Sequence, residues 1–176
     1  GLPTWYVVRA SDFEHISYNP RVDFMIAMNP QSYDMDVKEV RTGGYVLYDS
    51  SWPLRPELHR DDVQFMGIPL AVMAVEHFKG RRSNLLMKNV LYLGEVVALL
   101  QLDYEIVVTL IKESYKKTED NLKALKIGFD YAQAHFQTLP FHMSQRAHHV
   151  LRRLLMTGNT AAAMGALCAG ATVAAW

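Results

Sequence analysis

Cysteine is almost absent from this chain, since Cys168 is the only one among its 176 residues. A single cysteine cannot form an internal disulfide, and it cannot supply the thiolates of an iron–sulfur cluster or an all-cysteine zinc site. This excludes a disulfide-stabilised secreted scaffold and indicates a reducing, cytoplasmic compartment. The small residues around Cys168 predict a buried, unreactive thiol.

The chain also lacks an excess of charge of either sign. Its 18 basic residues balance its 18 acidic residues, and no three consecutive residues are Lys or Arg. This excludes the basic footprint of a nucleic-acid-binding protein. The first residues do not show the basic segment and apolar stretch of a signal peptide. Half of the residues are apolar (50%), which is enough for the core of one ordinary domain.

Long hydrophobic runs are scarce, and only Asn159–Trp176 raises the question of a membrane span. This run is slightly short for a span, and its Ala, Gly and Thr residues give it a weak drive into lipid. We therefore predict no membrane span but a buried helix, Thr160–Ala169, that ends at Gly170 as its C′ residue and leads into a strand.

The first part of the chain, to about residue 74, alternates short apolar runs with turn residues. Nearly continuous apolar runs are typical of strands covered on both faces. We predict an α/β fold with a mainly parallel sheet, and a short helix at Tyr33–Val40 with Met35, Val37 and Val40 as its apolar points. The predicted strands are Trp5–Ala10, Val22–Met28, Tyr45–Ser50 and Val63–Leu70. Trp5, Tyr6, Met25 and Met28 are interpreted as core residues.

From about residue 82 the apolar residues recur at helical spacing. The pattern predicts a helix at Arg82–Gln101, a second helix capped by Asp103 and a third capped by Thr118. A His- and Arg-rich stretch follows. We therefore divide the chain into a domain at 1–137, a connector at 138–157 and the start of another domain at 158–176. Because strand-like runs stand at both ends and would leave backbone groups unpaired, we expect a piece of a larger polypeptide or assembly.

Polar residues follow two of the predicted strands, where open α/β sheets place their ligand crevice. Asn29 and Gln31 could meet a substrate or the pantetheine or phosphate part of coenzyme A. The alternative is a strand-ending turn in which Asn29 bonds local backbone. Asp49-Ser50-Ser51 has the same two interpretations.

The turn before the last helix is the other candidate site. Asn159 and Thr160 stand at a helix N-terminus, which offers backbone N–H groups to an anion or cofactor, while the alternative is ordinary capping by Asn159. His142, His148 and His149 suggest a metal. No carboxylate accompanies them, so a solvated connector is favoured and no metal ligand is predicted.

Eight collinear segments carry a resemblance to a known family. They are Pro3–Arg9, Ala27–Val37, Gly43–Ser50, Gly67–Leu70, Lys88–Gly94, Asn121–Ala132, Gly158–Gly165 and Ala169–Trp176. Together they resemble the 2-oxoacid:ferredoxin oxidoreductases, and more narrowly the 2-oxoglutarate ferredoxin oxidoreductase-like subunit in which a gamma domain is fused ahead of an alpha domain. The family's glycine-rich βα unit and its Tyr-Pro-Ile-Thr-Pro segment do not occur here. Thr157 and Leu2 replace a usual Asp and a usual Gly.

The resemblance implies a component of an oxidoreductase that converts a 2-oxoacid and coenzyme A to acyl-CoA, CO2 and reduced ferredoxin. It implies thiamine diphosphate, Mg²⁺, [4Fe-4S] clusters and coenzyme A in the assembled enzyme, with none bound by this chain alone. The implied partners are the remaining alpha-domain segment, the beta subunit and ferredoxin, with this chain as scaffold and part of the site wall. The alternative is a non-catalytic α/β module that binds partner subunits.

Overall fold

The computed structural model describes residues 4–11, 19, 21–79, 84–115, 118–141 and 156–173. Contacts divide the chain into two compact units, at 1–143 and 144–176. The elements of the first unit are β1 (Val22–Ala27), α1 (Tyr33–Glu39), β2 (Val40–Asp49), a 3-10 turn (Pro56–Leu58), β3 (Gln64–Ile68), α2 (Leu70–His77), α3 (Asn84–Leu99), α4 (Tyr104–Ser114) and α5 (Glu119–His135). The second unit contains α6 (Gly158–Cys168).

The three strands form a parallel sheet in the order β1-β2-β3, which confirms the predicted α/β class. β1 and β3 lie within predicted runs, whereas β2 begins five residues earlier than predicted, at Val40. The early start is accommodated by an irregularity in the pairing of β1 with β2 between Val22 and Phe24. Gly43 lies opposite this break with φ of 76°, a conformation that glycine adopts without a steric penalty.

The predicted strand at Trp5–Ala10 is wrong. Residues 4–11 form no strand, and Tyr6 is 93% exposed, so Trp5 and Tyr6 are not core residues. The indole Nε1 of Trp5 donates to Oδ1 of Asp36 at 2.6 Å. This segment is therefore attached to α1 by a side chain, and none of the described strands pairs with it. Met25 is buried as predicted, but Met28 is exposed.

The helices follow the predicted pattern, but several details differ. α3 ends at Leu99, two residues before its predicted end. α1 ends one residue early and buries Asp36 beside Val37, while Met35 is 53% exposed. α2 was not predicted, because a short apolar run such as Ile68–Met73 is compatible with a buried strand as well as a helix. Asp103 caps α4 as predicted, accepting from the N–H groups of Glu105 and Ile106. Thr118 stands at the N-cap position of α5 but makes no cap hydrogen bond.

The main core lies where α2, α3 and α5 meet one face of the sheet. α3 and α5 form the most extensive helix pair of the first unit. Leu91 and Leu125 are fully buried there, and Leu139 joins them by donating its N–H to the carbonyl of Leu99 at 3.0 Å. Leu139 thus packs with the first unit, while the division of the chain into three functional segments stays a prediction.

α6 differs from its prediction in exposure. Every described residue from 156 to 173 is exposed, including Cys168, so the buried helix and the buried thiol are both wrong for this chain. Gly170 has φ of 92° and follows the helix as the predicted C′ residue. Residues 171–173 form no strand, and the remainder of that predicted strand lies outside the described residues. No helix of the described residues is long and apolar enough to cross a membrane.

Candidate functional site

The carboxyl ends of the three parallel strands meet at one edge of the sheet. β1 leads into Met28–Gln31, β2 ends at Asp49 and β3 is followed directly by Pro69 and α2. Ligands of open α/β sheets bind outside this edge. The structure therefore brings the predicted Asn29 and Gln31 to the same edge as Asp49.

Asn29 forms a local turn that leads into α1. Its Oδ1 accepts from the N–H of Gln31, and its carbonyl accepts from the N–H of Ser32, both at 3.0 Å. The backbone bond expected of the turn interpretation is therefore present. The side chains of Asn29 and Gln31 are exposed, so a ligand could reach them, and a cofactor contact stays a prediction.

Asp49 and Ser51 cap the N-terminus of α2. The Asp49 side chain is 0% exposed, and its Oδ1 accepts from the N–H of Ser51 at 3.1 Å and of Ala71 at 3.4 Å. The hydroxyl of Ser51 accepts from the N–H of Val72 at 3.3 Å. The bonds from Ala71 and Val72 satisfy N–H groups that a helix leaves unpaired at its start. The end of β2 thus has a structural role, which agrees with the interpretation of Asp49-Ser50-Ser51 as a strand-ending turn.

Lys88 of α3 neutralises Asp49. Its Nζ lies 3.2 Å from Oδ2 of Asp49, and the lysine side chain is only 17% exposed. The hydroxyl of Tyr33 donates to the carbonyl of Asp49 at 3.3 Å, and the hydroxyl of Tyr92 donates to the carbonyl of Ala27 at 3.0 Å. Side chains of α1 and α3 therefore fasten the ends of β1 and β2.

Glu95, one turn beyond Tyr92 on α3, completes a buried polar cluster at this edge. Its side chain is 0% exposed, and neither carboxyl oxygen has a hydrogen-bond partner among the described residues. Burial, and then the charge of Asp49, raise the pKa of Glu95 to about 9. Burial, and then Asp49, raise the pKa of Tyr33 to about 12, and burial raises the pKa of Tyr92. These groups hold their protons at neutral pH and serve as hydrogen-bond donors or neutral groups.

The N-terminus of α6 is capped by Thr157, so the prediction of Asn159 as the cap is wrong. The Oγ1 of Thr157 accepts from the N–H of Thr160 at 3.2 Å and lies 2.9 Å from the Thr160 hydroxyl. Asn159 and Thr160 are exposed in the first turn. Their proposed contact with an anion or cofactor stays a prediction.

Two cavities of the first unit lie away from the strand ends. One of about 470 Å³ lies between α4 and α5, and one of about 360 Å³ lies between α3 and the end of α5. None of the polar cluster lines either cavity. Within the described ranges no three His, Cys, Asp or Glu side chains are placed to hold a metal ion. His142, His148 and His149 lie outside those ranges.

The model of the pyruvate ferredoxin/flavodoxin oxidoreductase family matches residues 1–131 of the chain. The chain belongs to this family. Its match includes the strand ends, the polar cluster and most of α5.

Curated members of the oxidoreductase family are similar over about two thirds of this chain. The ketoisovalerate oxidoreductase subunit VorA of Methanothermobacter marburgensis is 28% identical over 116 residues, 65% of this chain and 24% of that protein. The 2-oxoglutarate synthase subunit KorC of Archaeoglobus fulgidus is 27% identical over 110 residues, 62% of this chain and 53% of that protein. The chain thus spans between a quarter and a half of these relatives.

Solved structures show the same fold. The 2-oxoglutarate:ferredoxin oxidoreductase of Magnetococcus marinus, with 2-oxoglutarate, coenzyme A and succinyl-CoA bound, matches with a TM-score of 0.67 and 21% identity. That match covers 84% of this chain and 26% of the enzyme chain. The gamma subunit of a keto/oxoacid ferredoxin oxidoreductase from Geobacter sulfurreducens matches with a TM-score of 0.55 and 24% identity, over 64% of each chain.

Sequence reasoning missed the polar cluster of this oxidoreductase-family domain. Lys88 and Tyr92 lie in a segment that carried the family resemblance, but neither was given a role. Glu95 has a signal in retrospect, because its neighbours three and four residues away on the helix include Leu91, Ala98 and Leu99, which are all buried. An acid at such a position must be paired or neutral.

Proposed function

We propose that this chain is a component of a 2-oxoacid:ferredoxin oxidoreductase, which forms acyl-CoA, CO2 and reduced ferredoxin from a 2-oxoacid and coenzyme A. The observation that carries the proposal is the family match over residues 1–131. The parallel sheet with its shared strand-end edge supports it, because the fold matches that of the Magnetococcus enzyme. In this proposal the chain supplies scaffold and one wall of the site.

The residues present decide which cofactors this chain could hold. With Cys168 as its one cysteine, the chain cannot ligate a [4Fe-4S] cluster, so cluster ligation is assigned to other segments or subunits. Thiamine diphosphate with Mg²⁺ supplies the decarboxylation chemistry when bound, and we assign its principal contacts to the remaining alpha-domain segment. The beta subunit and ferredoxin complete the proposed partners.

Two exposed polar sites are the proposed contributions of this chain. Asn29 and Gln31 lie at the strand-end edge, where they could contact coenzyme A. The first turn of α6 carries Asn159 and Thr160, and among the described residues no atom outside the adjacent residues of the chain and the backbone of α6 lies within 4 Å of the Cβ position of Gly158. That open approach is compatible with a phosphate oxygen next to the helix N-terminus.

Reconstitution tests this function. The purified chain, supplied with thiamine diphosphate, Mg²⁺, coenzyme A and a viologen acceptor, is expected to show no turnover of 2-oxoglutarate or ketoisovalerate. The chain coexpressed with its alpha-domain segment and beta subunit is expected to reduce the acceptor in a coenzyme A-dependent reaction. The control is the same assembly without this chain. Turnover by the isolated chain, or equal activity without it, contradicts the proposal.

A non-catalytic interaction module is the second candidate, and one surface favours it. Trp52, Val72 and Val75 are about half exposed, and the bond from the Val72 N–H to Ser51 brings Trp52 next to α2. Exposed apolar side chains with a tryptophan are typical of interface centres. If the chain is such a module, it is expected to bind the other subunits, and the activity of those subunits is expected to be the same with and without the chain. The reconstitution separates the two functions.

A further inference from the structure

One face of α3 is polar where it meets the ends of the strands. Lys88, Tyr92 and Glu95 are spaced four and three residues apart, so they lie on one side of the helix. Lys88 contacts Asp49 at the end of β2, and Tyr92 donates to the carbonyl of Ala27 at the end of β1. α3 is therefore held against the strand ends by polar groups as well as by apolar packing.

Glu95 is the member of this face without a partner. Neither of its oxygens is accessible to solvent or hydrogen-bonded within the described residues, and an ionised carboxylate in that state carries a large desolvation cost. Lys88 cannot offset that cost alone, because its Nζ already lies 3.2 Å from Asp49. A negative charge on Glu95 would also be repelled by the carboxylate of Asp49.

The titratable groups of this cluster come from three elements. Asp49 of β2 acts directly on Glu95, and Tyr92 of α3 interacts electrostatically with it. Lys88 of α3 contacts Asp49, and Tyr33 of α1 acts on Tyr92. α2 and α5 also pack against α3, but Glu76 and His77 of α2 are exposed. The titratable residues of α5 from Lys123 to Asp130 are exposed as well. The balance of charge around Glu95 is therefore set inside the cluster.

We propose that Glu95, Asp49 and Lys88 form a buried proton-holding cluster that makes the docking of α3 on the strand ends sensitive to pH. At neutral pH Glu95 is a neutral acid, and the Lys88–Asp49 pair is the charged part of the cluster. Release of the Glu95 proton at alkaline pH adds an uncompensated buried charge, and α3 separates from the ends of β1 and β2.

The direction of the pH dependence follows from proton binding. The pKa of Glu95 is raised from its ordinary value of 4.5 to about 9 in the folded chain. Between these values the folded state binds a proton that the unfolded chain has released, so the stability contribution falls as pH rises through this window. The contribution of Glu95 to stability is therefore constant below about pH 4.5 and is lost once the pH exceeds about 9.

Infrared spectroscopy and thermal unfolding on the full chain test the cluster. At about pH 7 exposed carboxyl groups are ionised, so a protonated-acid C=O band in the wild type reports a buried neutral carboxyl. We expect Glu95→Gln to remove this band and to flatten the fall of the melting temperature between about pH 6 and about pH 9. Glu76→Gln, which changes an exposed acid on α2, is expected to leave both unchanged.

Hydrogen exchange reports the separation itself. The exchange rates are first corrected for the intrinsic effect of pH. In the wild type, the amides of α3 are then expected to lose protection at a lower alkaline pH than the amides of β2. In Glu95→Gln, the amides of both elements are expected to lose protection at the same pH. Absence of the acid band from the wild type at neutral pH overturns the proposal, and this measurement decides it even if Glu95→Gln does not fold. A melting profile with the same pH dependence in Glu95→Gln also overturns it.

Discussion

Gly94 in α3 lies against the main-chain carbonyl of Leu125 in α5, with no space between the two helices for a side chain. A Cβ atom at Gly94 would overlap the carbonyl oxygen of Leu125, and a Cβ at Gly128 would overlap that of Leu91 in the same way. Two glycines in reciprocal positions therefore set the distance between the helices that cover the sheet.

We expect Gly94→Ala and Gly128→Ala each to lower the free energy of unfolding by about 1–3 kcal/mol, because the added methyl group forces the helices apart. Denaturant titration followed by circular dichroism measures the change. Gly165→Ala in α6 is the matched control, because its Cβ would meet no atom within 4 Å beyond its own helix in the part of the chain that the structure describes. A stability of Gly94→Ala equal to that of the control would show that the helices do not pack as closely as described.

Removal of the charge partner of Asp49 is expected to be costly. Lys88→Met leaves a fully buried carboxylate without its cation and is expected to destabilise the chain by about 3 kcal/mol. Lys126→Met breaks the exposed pair with Asp130, whose Nζ–Oδ2 distance is 2.8 Å, and is expected to cause no measurable change. Similar unfolding midpoints for the two variants would argue against a buried Lys88–Asp49 pair.

The hydroxyl of Tyr92 is expected to contribute measurably to the free energy of unfolding through one hydrogen bond. Tyr92→Phe removes the donor to the carbonyl of Ala27 and is expected to cost about 1–2 kcal/mol, since that buried carbonyl loses a partner. Tyr6→Phe is the control for the same chemical change at an exposed position. If chemical denaturation gives equal free energies for the two variants, Tyr92 does not fasten the end of β1.

α6 is expected to exchange its amide hydrogens quickly in the isolated chain. It buries no residue within the described chain, and helices without buried contacts open at little cost in free energy. In the proposed assembly the same amides are expected to exchange slowly. Mass spectrometry of α6 peptides from both samples makes the comparison, and strong protection in the isolated chain would contradict this expectation.

The sequence predicted the elements whose signal is local. The helical spacing from Val90 to Leu100 indicated α3, and Asp103 indicated the start of α4, because both signals reside in a few neighbouring residues. The strand at Trp5–Ala10 was wrong because a strand depends on a partner, and apolar composition does not show whether one is present. α2 was missed because a short apolar run suits a helix and a buried strand equally.

The sequence predicted where the candidate site lies, but it did not predict the contacts between the residues there. Asn29 and Asp49 follow predicted strands, so their common edge could be inferred from parallel topology. The role of Asp49 depends on Lys88, which is 39 residues away in sequence and was not linked to it by any spacing rule. Capping of α6 by Asn159 was one of two interpretations of that turn, and Thr157 makes the cap instead. Thr and Asn side chains both accept from helix N–H groups, so the sequence does not distinguish them.

The contact between Asp49 and Lys88 has a consequence for synthesis on the ribosome. β1, β2 and β3 precede α3, so they emerge while the carboxylate of Asp49 lacks its cation and the carbonyl of Ala27 lacks the Tyr92 hydroxyl. Chains emerge N-terminus first at about 5–20 residues per second. The contacts of Lys88 and Tyr92 can therefore form only after α3 has emerged, and until then the apolar side chains of the sheet that pack against α3, such as Leu47 and Met66, lack that cover.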